Sequence, residues 1–153
     1  SRGLGDVYKR QDLAVKIEES GAVISVDDLG VVVADPLQMR QLFQNIIGNS
    51  LKYRHPDRTP EIRVTRAKAP EGVDPDSHTS ISIKDNGIGF KEEYQEKIFD
   101  IFQRLHTRQQ FQGTGIGLTI CKKIVEHHHG LIRATAVQGE GAEFLITLPL
   151  TQG

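Results

Sequence analysis

The chain has few of the residues that serve covalent or membrane chemistry. Its single cysteine, Cys121, excludes an internal disulfide and falls in a helical pattern, so a reducing compartment fits. No apolar run approaches the roughly 20 residues needed to cross a bilayer. Neither charge dominates: 19 Lys and Arg against 20 Asp and Glu leave a net charge of -1, which excludes a broadly basic nucleic-acid surface. There is no internal repeat. What is present is one domain's length, 153 residues, long enough to bury a core. It also has 15 glycines, several grouped in short loops.

Residues 1–11 show no periodicity, and Gly3 and Gly5 argue against a helix there. They read as a non-native or linker segment, which sets the domain at residues 12–153; a non-native segment would imply that the natural upstream partner is missing. Asp12 to Glu19 favours a short helix ending at Gly21. Val23, Ile24 and Val26 predict a strand, and Val31 to Ala34 a second one. Asp35 and Pro36 mark a helix start: Asp35 caps, Pro36 suits the first helical position, and Gln38 is placed to complete a capping box. Leu42, Phe43, Ile46, Ile47 and Leu51 carry that helix to about Tyr53.

Glu61 to Lys68 alternates as an outer or half-buried strand would, and a second alternating run, Ser80 to Lys84, leads into Asp85. Glu92 to Ile98 predicts a short helix, with Phe99, Ile101 and Phe102 as apolar anchors after it. Arg104 to Thr114 is polar and aperiodic, the pattern of a mobile loop. Leu118, Cys121, Ile124, Val125 and His128 mark one face of a helix that stops at Gly130. Leu131 to Val137 and Glu143 to Leu150 form strands around a turn at Gly139-Glu140-Gly141. This order predicts an α+β fold: a two-layer sandwich with a mixed sheet of about five strands, covered on one face by about three helices.

Three stretches carry chemistry. Asp85-Asn86-Gly87-Ile88-Gly89-Phe90 ends a strand with a carboxylate and two glycines, where the backbone can turn sharply and approach a ligand. The Asp can accept from an exocyclic amine, and the glycines leave room for a flat ring; alone, such a loop is also an ordinary tight turn. Asn45, Asn49 and Lys52 share one stripe of the long helix, opposite Phe43 and Ile47. An amide oxygen suits Mg²⁺ that already has phosphate and water ligands, and a lysine adds a point charge beside phosphates. Such a stripe is otherwise simply the wet side of a helix. Gly113-Thr114-Gly115-Ile116-Gly117-Leu118 opens a helix with bare amides that suit a polyphosphate. It fits neither a dinucleotide fingerprint, lacking the strand before it, nor a Walker motif, lacking the Lys-Ser or Lys-Thr.

Together these residues resemble the ATP-binding catalytic domain of sensor histidine kinases, within the wider group that includes DNA gyrase and MutL. The resemblance spans about Asp12 to Leu150. It rests on an N box from Gln44 to Tyr53, a G1 box from Asp85 to Gly89, an F box from Ile98 to Leu105 and a G2 box from Gly113 to Leu118. The wording of the N box and of Phe102 to Lys123 is most similar to phytochrome-type and related PAS-linked kinases. The resemblance implies the Bergerat fold, ATP and Mg²⁺. By it Asn49 coordinates the metal, Asn45 supports the phosphate and metal shell, and Lys52 contacts the phosphates, which makes Asn45 and Lys52 the candidate catalytic residues. Tyr53 lies by the adenine, and Asp85 accepts from the adenine amine. Gly87, Ile88 and Gly89 sit beside the ring. Phe102 and Arg104 of the F box contribute, with a lid from about Gln103 to Thr114. Gly113, Thr114, Gly115, Gly117 and Leu118 complete the phosphate end.

Gyrase-like ATPases, by the same family knowledge, carry a glutamate base four residues before the metal-binding asparagine. Here Asn45 stands there and cannot take a proton from water, which favours phosphoryl transfer to a nucleophilic histidine over hydrolysis. None of His55, His78, His106, His127, His128 and His129 lies in the expected phosphoacceptor motif. The implied partners are therefore a separate histidine-bearing dimerisation domain and a response regulator. No contact with nucleic acid or membrane is implied, and the expected location is the cytoplasm, within a larger sensor. The alternatives are a degenerate nucleotide-binding module used for docking or regulation, and a serine/threonine kinase like the anti-sigma factors, which carry an acidic base where Asn45 stands. His127 to His129 read as a helix end rather than a metal cluster, because consecutive helical residues point apart. The family often has glycine at position 129, so His129 is a departure.

Overall fold

A computed structural model describes residues 11–99 and 115–152. Five strands, β1 (Val23–Val26), β2 (Glu61–Ala67), β3 (His78–Asp85), β4 (Leu131–Val137) and β5 (Gly141–Pro149), form one sheet in the order β1-β2-β3-β5-β4. β1 runs parallel to β2 and the other pairs are antiparallel, so the sheet is mixed. Alternation decides which face is covered. Ile62, Val64, Ile81, Ile83, Ala134, Phe144, Ile146 and Leu148 are buried on one face, and register pairs Val64 with Ile83, Ile83 with Phe144 and Ile81 with Ile146. On the opposite face the central strands carry polar pairs: Ser80 Oγ and Thr147 Oγ1 lie 2.9 Å apart, and Ser82 donates to Glu143.

Among the described residues, three complete α-helices accompany the sheet: α1 (Gln11–Ser20), α2 (Pro36–Lys52) and α3 (Gly115–His127). α2 begins as its sequence dictates. The Asp35 carboxylate accepts from the amides of Leu37 and Gln38, at 2.9 and 3.2 Å, with Pro36 at the first turn. Its apolar stripe, Met39, Leu42, Phe43, Ile46, Ile47 and Leu51, is buried, and so is the stripe of α3: Leu118, Cys121, Ile124 and Val125. Burying side chains of this size contributes about 1.5–3 kcal/mol each, so truncating Phe43 to Ala would cost about 3–5 kcal/mol.

Three local expectations are corrected. Val31 to Ala34 is not a strand: only Val31 makes an isolated bridge, while the Val33 amide donates to the Leu150 carbonyl. Gln38 does not close a capping box, because the Asp35 amide it would need donates instead to His128 Nε2 at 3.1 Å. Glu92 to Ile98 is not one helix; Glu92–Tyr94 forms a single 3-10 turn, residues 95–97 turn again, and Ile98 and Phe99, both buried, begin a separate helical stretch. Of the two readings of β2, outer or half-buried, the half-buried one holds: its alternate residues are buried and it lies between β1 and β3. The end of α3 also differs in detail. His129, with φ 61°, takes the left-handed position after the helix, and its amide and that of Gly130 donate to Glu126 and Val125. Residues 1–10 and 100–114 lie outside the described residues, and with them the linker segment, the mobile loop and the anchors Ile101 and Phe102.

Candidate functional site

The site is built where the end of β3, the C-terminal half of α2 and the start of α3 meet. Asp85, the last residue of β3, holds its carboxylate in a cradle of donors. Oδ1 accepts from the Gly87 amide at 2.9 Å and the Ala142 amide at 3.2 Å, and Oδ2 accepts from Ser50 Oγ at 2.8 Å. Burial pushes the carboxyl above its ordinary range, and these three hydrogen bonds oppose that shift without cancelling it. Each carboxylate oxygen has two acceptor positions, so Oδ2 keeps one for a further donor.

The two glycines of this loop also serve the packing of the backbone itself. A Cβ on Gly87 would meet the Tyr53 carbonyl oxygen at 2.6 Å, and one on Gly89, which has φ 62°, would clash with the Val137 carbonyl oxygen. Both positions let backbone pack on backbone. The loop is further tied by the Ile88 amide to the Tyr53 carbonyl at 3.0 Å and by the Gly139 amide to the Ile88 carbonyl at 2.7 Å.

Asn49, Ser50, Tyr53, Asp85, Ile88, Gly89, Phe90, Ala142 and Phe144 surround a narrow hollow of about 20 Å³ beside the Asp85 carboxylate. A larger cavity, about 480 Å³, opens on the other side of Asn49 between α1, α2 and the start of α3; Asn45, Gly48, Asn49, Lys52, Gly117 and Leu118 line it. Asn49 borders both spaces, and its Oδ1 is buried with no hydrogen-bond partner among the described residues. A hard, neutral oxygen without a donor fits a divalent cation that brings phosphate and water ligands with it. No group of three His, Cys, Asp or Glu side chains that would hold a metal without such help occurs among the described residues.

Lys52, half-buried at the end of α2, has its pKa lowered by burial and secondarily by the charge of Lys16. Its Nζ stands 5.8 Å from the Tyr53 ring centroid. Asn45 faces α3: its side chain hydrogen-bonds the Cys121 thiol, which burial pushes up to about 12, and its Cγ lies 3.8 Å from the position of a Cβ on Gly117. Asn45 therefore holds the start of α3 against α2 as well as lining the cavity.

Two groupings of the expected residues thus emerge. Tyr53, Asp85, Ile88 and Gly89 gather at the hollow, with Gly87 buried in the loop; Asn45, Lys52, Gly117 and Leu118 gather at the cavity, with Asn49 shared. Gly115 is the first residue of α3. Phe102, Arg104, Gly113, Thr114 and the lid lie outside the described residues.

Sequence reasoning missed Ser50, Arg58 and Asn86. Ser50 had a signal: a hydroxyl within the buried stripe of α2 needs a partner, and it finds Asp85. Arg58 donates through Nη2 to the Gly87 and Gly139 carbonyls, at 3.3 and 2.5 Å. Asn86 bridges the Thr59 carbonyl and the Glu61 amide. Neither role has a local pattern that marks it in advance.

Comparison with known proteins identifies the family and the fold. The profile of the family described as histidine kinase-, DNA gyrase B-, and HSP90-like ATPase matches residues 34–152. The chain is similar to phytochrome-like protein Cph1 of Synechocystis sp., with 42% identity over 139 residues that cover 91% of this chain and 18% of that protein. It is 41% identical over 117 residues to sensor protein kinase WalK of Staphylococcus aureus, covering 75% of this chain and 27% of the relative. It thus spans less than a third of the length of either. Among solved structures, the mycobacterial sensor histidine kinase MprB superposes with a TM-score of 0.75 at 25% identity, covering 97% of this chain and 96% of that one. The catalytic domain of histidine kinase ThkA superposes with a TM-score of 0.71 at 27% identity, covering 97% and 91%.

Proposed function

Because the chain belongs to the histidine kinase-, DNA gyrase B- and HSP90-like ATPase family, we propose that it is the ATP-binding catalytic domain of a sensor histidine kinase. In this reading it presents ATP·Mg so that the γ-phosphate passes to a histidine on a separate dimerisation domain, in two-component signalling to a response regulator. The observation that carries the reading is the Asp85 cradle: three donors fill three acceptor positions and leave Oδ2 open to the exocyclic amine of adenine. A base is larger than the hollow beside Asp85, so its entry requires side chains lining the hollow to move aside. From there the phosphates run past Asn49 into the cavity, where Lys52 supplies positive charge and the start of α3 supplies backbone amides.

Mg²⁺ would neutralise phosphate charge, and Asn49, whose Oδ1 has no hydrogen-bond partner among the described residues, would hold it. The residues of the chain bind and orient; none among those lining the cavity is placed to activate water. Among the described residues, Glu19 is the only carboxylate on its wall, and it comes from α1 rather than from the position of a hydrolytic base. Asn45 occupies that position, engaged with Cys121. Among the described residues, no helix is long and apolar enough to cross a membrane.

The test is transfer in trans. The chain, Mg²⁺ and γ-labelled ATP are incubated with a helical dimerisation domain from a phytochrome-type kinase. Acid-labile, base-stable label on that domain, lost when its histidine is replaced, supports the kinase. ATP binding without transfer to any such domain favours the regulatory-module alternative, and label on serine or threonine would favour the anti-sigma-like one.

A further inference from the structure

The motif residues occupy only part of the large cavity. Its remaining wall is α1, which contributes Lys16, Glu19 and Ser20 on one face of the helix, and the α2 side also presents Gln44, adjacent to Asn45. We propose that Lys16 and Gln44 are contacts for the terminal phosphate of the nucleotide, an assignment that rests on the ATP-binding reading above and extends it to a helix outside the four sequence boxes.

Two independent observations point there. Gln44 Nε2 is buried without a hydrogen-bond partner among the described residues, and an amide donor withdrawn from water costs free energy until an acceptor reaches it. Lys16, Lys52 and Arg54 meet around the same space against one carboxylate, Glu19. Arg54 already donates to the Leu51 carbonyl. Like charges facing one cavity repel unless an anion lies between them, and Lys16 is close enough to act on the titration of Lys52. A polyphosphate end brings negative charge to the Lys16 side of the cavity and an acceptor for Gln44 Nε2. Lys16 and Gln44 line the cavity but not the hollow at Asp85, and Asn49 lies at the junction. A nucleotide anchored by its base therefore reaches them last, with its outermost phosphate.

The experiment titrates adenosine, ADP and ATP, each with Mg²⁺, into the whole chain and into K16A, K16R and Q44L, after thermal melts have shown that the variants fold. Lys16 is exposed, and leucine removes the unpaired Gln44 donor while keeping most of its volume, so folding is expected to survive. K16A and Q44L should each weaken ATP by about 5- to 10-fold, weaken ADP less and leave adenosine unchanged, and K16R should recover most of the loss. Equal losses for all three ligands, or unchanged ATP affinity in both variants while the unaltered chain binds ATP normally, overturn the assignment alone. An unaltered chain that binds no nucleotide overturns the ATP-binding reading and the assignment with it.

Discussion

The backbone amide of Asp35 donates to Nε2 of His128 across 93 positions of sequence, at 3.1 Å. The same ring makes a 2.8 Å hydrogen bond between Nδ1 and the Ile124 carbonyl. The two partners set the tautomer: the proton sits on Nδ1 and the lone pair on Nε2. One buried imidazole thereby satisfies the amide at the cap of α2 from the end of α3, joining the helices that carry the N and G2 boxes. Replacing His128 by Leu keeps apolar bulk but leaves the Asp35 amide without its partner, at an expected cost of about 1–3 kcal/mol. Urea unfolding reads this directly, and an unchanged midpoint would show that the bond contributes nothing.

Asp85 links stability to pH. Its carboxyl titrates above the ordinary range because burial dominates, so between the unfolded and folded pKa values the native state holds more protons. The stability Asp85 provides is full below about pH 4 and declines as pH rises through its folded pKa. Asp85→Asn abolishes that decline. Its amide oxygen can still accept from Gly87 and Ala142, and Ser50 can turn its hydroxyl to accept from the new amide. The variant should be at least as stable as the unaltered chain at pH 7, yet lose about 1–3 kcal/mol of adenine affinity, because a donor now faces the adenine amine. Paired measurements of unfolding and ATP binding against pH separate the two effects. A variant that binds ATP normally removes Asp85 from the site.

Asn49 carries an unpaired buried acceptor, so its truncation removes a polar group that contributes little to folding. Asn49→Ala should unfold within about 1 kcal/mol of the unaltered chain, while ATP binding loses its dependence on Mg²⁺. A magnesium response retained in the variant places the metal elsewhere.

His129 holds φ 61° at the position where helix ends favour glycine. The left-handed conformation costs a side chain about 1–2 kcal/mol, and glycine's greater freedom in the unfolded chain offsets part of that gain. His129→Gly should stabilise by about 0.5–1 kcal/mol, a rise in Tm of about 2–4 °C, with nucleotide affinity unchanged. A lower Tm would mean that the His129 side chain has contacts worth more than the strain.

Much of this was legible because periodicity and capping are local. The α2 start at Asp35-Pro36, the buried stripes of α2 and α3, and the alternation of β2 and β3 follow from residue spacing alone. What escaped the sequence is long-range. Gln38 looked like the partner of the Asp35 amide, but a ring 93 positions away took that place. The Val31 to Ala34 run is apolar enough for a strand yet has only an isolated bridge to continue it. Gly87 and Gly89 were correctly flagged as special, though the carbonyls they accommodate belong to Tyr53 and Val137, which no local pattern reveals. Ser50, Arg58 and the α1 wall of the cavity likewise depend on tertiary placement.

The most direct test is calorimetric titration of ATP into the folded chain with and without Mg²⁺, with Asp85→Asn alongside. Saturable binding that Mg²⁺ strengthens and the substitution weakens is the expected result. Absence of binding to a chain shown to be folded, or binding that ignores both the metal and Asp85, would contradict a nucleotide site at this place.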